Sequence, residues 1–203
     1  MDRLKLIAME SFETGFERLR MAPLELADDE EIYVYKTAKF GVREIRKREV
    51  LPSSYYCLNR KIKFLKQYRQ RLLTDLQIDL FNLPGILYIK DGDVVFGLVP
   101  PFVEVYQEEN GKEMSVLQDG IHRLILADSL GVGCRCIEII NKKKNSKYLP
   151  YAYPNSWEEV RFFNKVPVKK KNYRRTPNYS FMRPLRSIFD NKKYVLRWAD
   201  YGR

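Results

Sequence analysis

The sequence predicts an α+β fold, a mixed α/β domain with a basic C-terminal extension. Three observations lead there. Apolar residues recur every three or four positions through Leu58–Leu83 (Ile62, Leu65, Tyr68, Leu72, Leu76, Leu80), the spacing of a helix that buries one face. Between Ile86 and Ile140 the chain changes to short runs rich in Val, Ile, Phe and Tyr, broken by Gly, Pro and Asn, which read as strands and turns. Hydrophobic residues make up 45% of the 203 residues and charged residues 31%, enough for a core and a solvated surface.

Taken in order, residues 3–20 carry Leu4, Ile7, Ala8, Phe12, Phe16 and Leu19 at roughly helical spacing, so an amphipathic helix or helix–turn is expected. Ala27–Glu31 is an acidic loop, and Ile32–Lys36 reads as a strand. Residues 43–50 are dense in Arg, Lys and Glu. Leu51-Pro52-Ser53-Ser54 then marks a turn and a helix start, and Pro84-Gly85 closes the helical stretch. Ile86–Ile89 and Val94–Val99 flank Lys90-Asp91-Gly92-Asp93, a strong hairpin signal. Phe102–Tyr106 and Met114–Leu117 are further strands around the Asn110-Gly111 turn. Residues 121–130 form a helix that Gly131 terminates, and Cys134–Ile140 is the last clear strand. Ser156 opens a short helix through Phe163. Tyr194–Trp198 is the one periodic stretch beyond it.

Charge divides the chain. Residues 141–203 hold 17 Lys and Arg against 4 Asp and Glu, whereas 1–140 hold 20 against 22. We therefore expect a domain over 1–140 and a basic, aromatic-rich extension over 141–203, packed on that domain or free of it. Such an extension suits DNA or RNA, an anionic membrane or an acidic protein, or is a solvated basic face. Lys169, Lys170, Lys171, Arg174 and Arg175 are its candidate nucleic-acid contacts. The three cysteines, Cys57, Cys134 and Cys136, lack CxxC spacing. Buried free thiols are expected in place of a disulfide framework or zinc site, with Cys134 and Cys136 on one face of their strand. With no apolar run approaching a membrane span and acidic residues in the opening segment, the expectation is a soluble, cytoplasmic protein.

The candidate functional centre is Asp119-Gly120-Ile121-His122-Arg123, between a strand and a helix. Glycine allows a sharp turn and close approach. The first turn of the helix presents unpaired N–H groups and a positive dipole end. His122 and Arg123 add donors and charge, and a guanidinium fork matches phosphate oxygens. Asp119 can orient either side chain or hold a metal ion. A common Asp-Gly turn with a solvent-facing arginine and a structural histidine is the plainer alternative.

Val116 to Gly131, read with the strand–turn–helix–strand order around it, resembles the ParB/sulfiredoxin superfamily, in which a strand runs into a Gly-x-His-Arg or Gly-x-Arg-Arg turn. The close resemblance covers about residues 98–140, and a looser one begins near Ile45. It implies a small α/β fold with nucleotide phosphate on the turn. Gly120, Ile121, His122 and Arg123 would be phosphate contacts. Asp119 would be catalytic or a Mg2+ ligand, and ATP, ADP or CTP the nucleotide. Arg46 and Arg48 would lie beside the phosphate, with Glu49 as a general base and His122 also catalytic. An exposed charged strand end is the alternative for 46–49. Sulfiredoxins carry a nucleophilic cysteine where this chain has Ile121, so that chemistry is not expected. The C-terminal region is too short for the DNA-binding and dimerisation domains of partition proteins. The 86–97 hairpin is an insertion relative to the family, read as an arm over the site or an interaction surface. Expected functions are a phosphotransferase or nucleotide hydrolase, a DNA- or RNA-binding protein or nuclease, or a non-catalytic interaction module.

Overall fold

Tertiary pairing decides the first element against its helical spacing. In the computed structural model, which describes residues 3–24, 32–142, 149–174, 185 and 187–189, strand β1 (Lys5–Glu10) precedes helix α1 (Phe12–Arg20). The helix or helix–turn expected over 3–20 is thus a strand in its first half. Ser11 sets the boundary: its backbone is extended, and its hydroxyl accepts the Thr14 N–H at 3.3 Å as an N-cap. The acidic stretch 27–31 and the stretch 194–198 lie outside the described residues.

Ile32–Lys36 is not a strand but runs into a turn, with Val34 and Tyr35 buried. The Tyr35 hydroxyl donates to the fully buried Glu104 carboxylate at 3.0 Å, a tertiary partner that a local strand reading does not see. Strand β2 (Lys39–Ile45) was hidden by its own charges, Lys39, Arg43 and Glu44. A single 3-10 turn follows at Lys47–Glu49, then short strands β3 (Leu51–Pro52) and β4 (Tyr56–Leu58). Helix α2 (Asn59–Leu76) stops at Gln77, whose φ of 58° is left-handed, short of the Leu83 expected. The chain folds back there because Asp79 takes a two-pronged hydrogen bond from Arg69 (2.8 and 2.7 Å) and accepts the Phe81 N–H. Leu80, Phe81 and Leu83 are then buried without helix.

The hairpin is present as β5 (Ile86–Asp91) and β6 (Val94–Leu98), turning at Gly92 with φ 60°. It is not an arm over the site. With β1 it makes a three-stranded antiparallel sheet, order β1-β5-β6. Leu87, Ile89, Phe96 and Leu98 enter one hydrophobic cluster while Ile86 and Tyr88 enter the other, so the sheet stands between the two.

The sheet that positions the site has five strands in the order β2-β9-β7-β8-β3. Its members include β7 (Phe102–Gln107), β8 (Glu113–Asp119) and β9 (Cys134–Asn141). β7 pairs antiparallel with β8 and parallel with β9, so helix α3 (Ile121–Ser129) carries the chain across β7. Leu124, Leu126 and Ala127 bury the inner face of α3, each large apolar side chain contributing about 1.5–3 kcal/mol. Gly131, φ 71°, terminates it as expected. Cys57, Cys134 and Cys136 are buried free thiols.

Beyond residue 149 come β10 (Ala152–Tyr153), β11 (Arg161–Phe163) and β12 (Asn172–Tyr173). The expected helix over 156–163 is one 3-10 turn at Trp157–Glu159. Glu159 caps that turn by accepting the Ser156 N–H at 2.7 Å. The β-forming Arg161-Phe162-Phe163 then pairs parallel with β4. Trp157 Nε1 donates to the Val50 carbonyl at 2.7 Å, fixing this segment to the body.

Candidate functional site

Gly120 is the residue between β8 and α3 that tolerates no substitute. Its φ is 97°, and a Cβ built there would fall 2.4 Å from Pro101 Cβ. Glycine is therefore required by its backbone and by the proline packed against it, a narrower reason than ligand approach. Gly120 is also the N-cap of α3; it offers no side-chain cap, and the first turn contains no acidic residue. The positive dipole end of α3 therefore has no carboxylate of its own first turn beside it.

His122 ties this turn to a second helix start. Its Nε2 accepts the backbone N–H of Leu58, the N-cap of α2, at 3.0 Å. An accepting Nε2 carries no proton, so the imidazole is neutral with its proton on Nδ1. Arg123 is half-buried, and its positive charge acts on the two thiols below it. The hydrogen bond shared with Cys136, aided by Arg123, pulls the Cys134 thiol below its ordinary range against burial. Cys136, the other partner, is pushed up by that bond and by burial. Arg123 thus places charge beneath α3, not on an exposed flank. Burial pushes Cys57, in β4, up to about 12.

Lys171 reaches the turn from far along the chain. Its Nζ donates to Ser53 Oγ at 2.9 Å, and Ser53 Oγ donates to the Gln118 carbonyl at 3.4 Å, one residue before Asp119. Ser53 N–H also donates to the Leu117 carbonyl at 3.1 Å, continuing the β3–β8 pairing. The structure therefore joins the turn and the basic run, two features far apart in sequence.

The other basic candidates separate. Lys169 and Lys170 are exposed, with Lys169 Nζ 5.5 Å from the Tyr55 ring centre. Arg174 is not an open nucleic-acid contact: its side chain is only 10% exposed, it is paired with Glu108, it donates to Tyr106 Oη at 3.2 Å, and it lies 4.0 Å over the Tyr153 ring. Arg175 lies outside the described residues.

Arg46, Arg48 and Glu49 are exposed. Glu49 accepts the Arg46 N–H at 2.5 Å, capping its own turn, and sits 3.7 Å from Arg43. Lys47 in the same turn reaches Asp128 at 3.3 Å, in the last turn of α3 and so at the end away from Gly120. Asp119 is half-buried in the turn itself. Among the described residues no group of three or more His, Cys, Asp or Glu could hold a metal ion. No described helix is long and apolar enough to cross a membrane.

A family model described as the ParB CE domain matches residues 16–161. The chain belongs to that family. No curated protein and no solved structure gives a significant match. The ParB CE match takes in the turn, the starts of α2 and α3 and the 3-10 turn at Trp157–Glu159, and so runs past the change in composition at residue 141. Ser53, Gln118 and Lys171 meet within or beside it. Sequence reading had Lys171 as one of a basic run and passed over the other two, because a parallel two-residue strand leaves no periodic signal.

Proposed function

We propose that this ParB CE protein binds a nucleotide through its phosphates on the Gly120–Arg123 turn, as a phosphotransferase or nucleotide hydrolase. The observation that carries the reading is the convergence of the uncapped α3 start, the α2 start held by His122, and Lys171 held by Ser53. Backbone N–H groups would orient the phosphate, and Lys171 and Arg123 would balance its charge. Asp119 is the carboxylate in place to accept a proton from a hydroxyl or water acceptor. Glu49 is spent on its own turn and on Arg43. His122 serves as a positioning residue through Nε2, which holds the start of α2.

Mg2+ usually binds one or two carboxylates together with substrate phosphates. Asp119 alone suits an ion that arrives with ATP, ADP or CTP, where it would neutralise phosphate charge. Calorimetry with these nucleotides and Mg2+ tests the reading. Binding is expected, weakened in Arg123→Ala and Lys171→Ala, and Asp119→Asn is expected to keep binding while losing turnover. Absence of heat with every nucleotide would refute it.

A second reading has one observation in its favour. Phe162 is 55% exposed beside exposed Arg161, Lys165, Lys169 and Lys170, a surface suited to stacking a base and following a phosphate backbone of DNA or RNA. It requires binding that falls steeply with salt and weakens in Phe162→Ala.

A further inference from the structure

The strand that delivers the turn ends in an irregularity. Phe102 pairs with Asp119 and Val103 with Leu117, so Gln118 is an extra residue in β8, a bulge one position before the turn. Its side chain is 9% exposed, and both Oε1 and Nε2 are buried with no hydrogen-bond partner among the described residues. Close by, Asn155 is 3% exposed and held by its N–H donating to the Pro52 carbonyl at 2.8 Å. Its Oδ1 accepts from Asn172 Nδ2 at 2.7 Å, but its own Nδ2 is buried without a partner. The Tyr55 hydroxyl, two residues from Ser53, is buried and unpartnered as well. Buried polar groups are nearly always paired with protein, water or a bound molecule, so an amide with no protein partner two residues before Gly120 is a place where a ligand atom can complete the pairing.

The kind of atom limits the ligand. A second anion-binding residue would be a cation or a row of N–H groups. Gln118 instead offers a donor and an acceptor side by side, which matches the edge of a nucleobase, as amides match adenine in a groove. Ser53 Oγ donates to the Gln118 backbone carbonyl and in turn accepts from Lys171, so a cation adjoins this residue, two positions before Gly120. We infer that Gln118, supported by Asn155, reads the base of the nucleotide whose phosphates sit on the turn. This rests on the nucleotide reading above and adds the residue that sets base specificity.

The test uses the full chain and a panel of ATP, GTP, CTP and UTP, with inorganic tripolyphosphate as a ligand that has no base. Gln118→Met keeps side-chain length and removes both polar atoms; Gln118→Asn keeps the amide and shortens its reach. Wild type is expected to prefer one base. In Gln118→Met that preference should fall roughly tenfold or more, while tripolyphosphate binds as before and thermal stability is equal or higher, since a buried unpaired amide is removed. Gln118→Asn should also lose preference. If nucleotides and tripolyphosphate bind but base ranking survives both substitutions, Gln118 is filled by water or serves packing, and the inference fails alone. If both variants are markedly less stable, the amide has a structural partner and the inference likewise fails. If neither tripolyphosphate nor any nucleotide binds the wild type, the nucleotide reading falls and this inference with it.

Discussion

Substituting Gly120 by alanine tests why the turn has the shape it has. Two separate penalties are read from the structure. At φ 97° an L-residue occupies the left-handed side of backbone space, costing about 1–2 kcal/mol. The added Cβ would lie 2.4 Å from Pro101 Cβ and 2.7 Å from its Cγ, an overlap that a rigid ring cannot relieve. Forced overpacking of this kind costs about 1–3 kcal/mol. The sum, about 2–5 kcal/mol, is a large share of the 5–15 kcal/mol typical of a whole domain. For a chain of this size each kcal/mol lowers Tm by about 2–4 °C. Urea unfolding read by tryptophan fluorescence should therefore show a clear loss of midpoint in Gly120→Ala. The double variant with Pro101→Gly separates the terms. Removing the ring should recover the steric part and leave the backbone part, giving a coupling energy of about 1–3 kcal/mol. A Gly120→Ala loss below 1 kcal/mol, or no coupling with Pro101, would refute the reasoning.

Other outcomes follow from the same geometry. His122→Ala strands the buried Leu58 N–H; stability should drop by about 1–3 kcal/mol, and hydrogen exchange at Leu58 should quicken more than at α2 residues one turn further on. Arg174→Met leaves Glu108 facing Tyr106 without its cation, and stranding one partner of this part-buried pair costs about 1–3 kcal/mol, read by thermal denaturation; loss of nucleic-acid binding with full stability would show instead that Arg174 is a surface contact. Burial pushes the Cys57 thiol from its ordinary value near 9 up to about 12 in the folded chain. Between those values the unfolded chain gives up a proton the folded chain keeps, so stability should fall as pH rises from 9 towards 12, and Cys57→Ala should flatten that slope.

What the sequence revealed depended on how local the cause was. The hairpin at Gly92, the helix stop at Gly131 and the strand–turn–helix around Gly120 are set by neighbours within a few residues, and all three were legible. β1 was misread because Leu4, Ile7 and Ala8 satisfy a helical spacing by chance, and pairing with β5 decided otherwise. β2 went unseen because Arg43 and Glu44 mask its alternation, although it pairs with β9 along its whole length. In the candidate site, Asp119, Gly120, Ile121, His122 and Arg123 adjoin in sequence, so their place at the β8–α3 turn was legible. The contact of His122 with Leu58 spans 64 positions and that of Lys171 with Ser53 spans 118, so no local pattern could announce either.

That long-range contact makes the basic run divisible, and the division can be measured. Lys169, Lys170 and Lys171 carry the same charge and adjoin in sequence, so a general electrostatic role would make them interchangeable. The structure does not treat them alike: Lys171 is half-buried, 2.9 Å from Ser53 Oγ and 4.8 Å from the Tyr151 ring centre, while Lys169 and Lys170 are exposed. A cation held close to a bound phosphate is screened little by salt, whereas exposed charges farther away are screened beyond about 8–10 Å. Lys171→Gln should therefore weaken tripolyphosphate or nucleotide binding by roughly tenfold, the equivalent of about 1.4 kcal/mol, with the loss persisting at high salt. The double variant Lys169→Gln with Lys170→Gln should change that affinity by less than about twofold, and only at low salt. Equal effects from the single and double variants would mean that the run acts through net charge alone. The link from Lys171 through Ser53 to the turn would then carry no weight in binding.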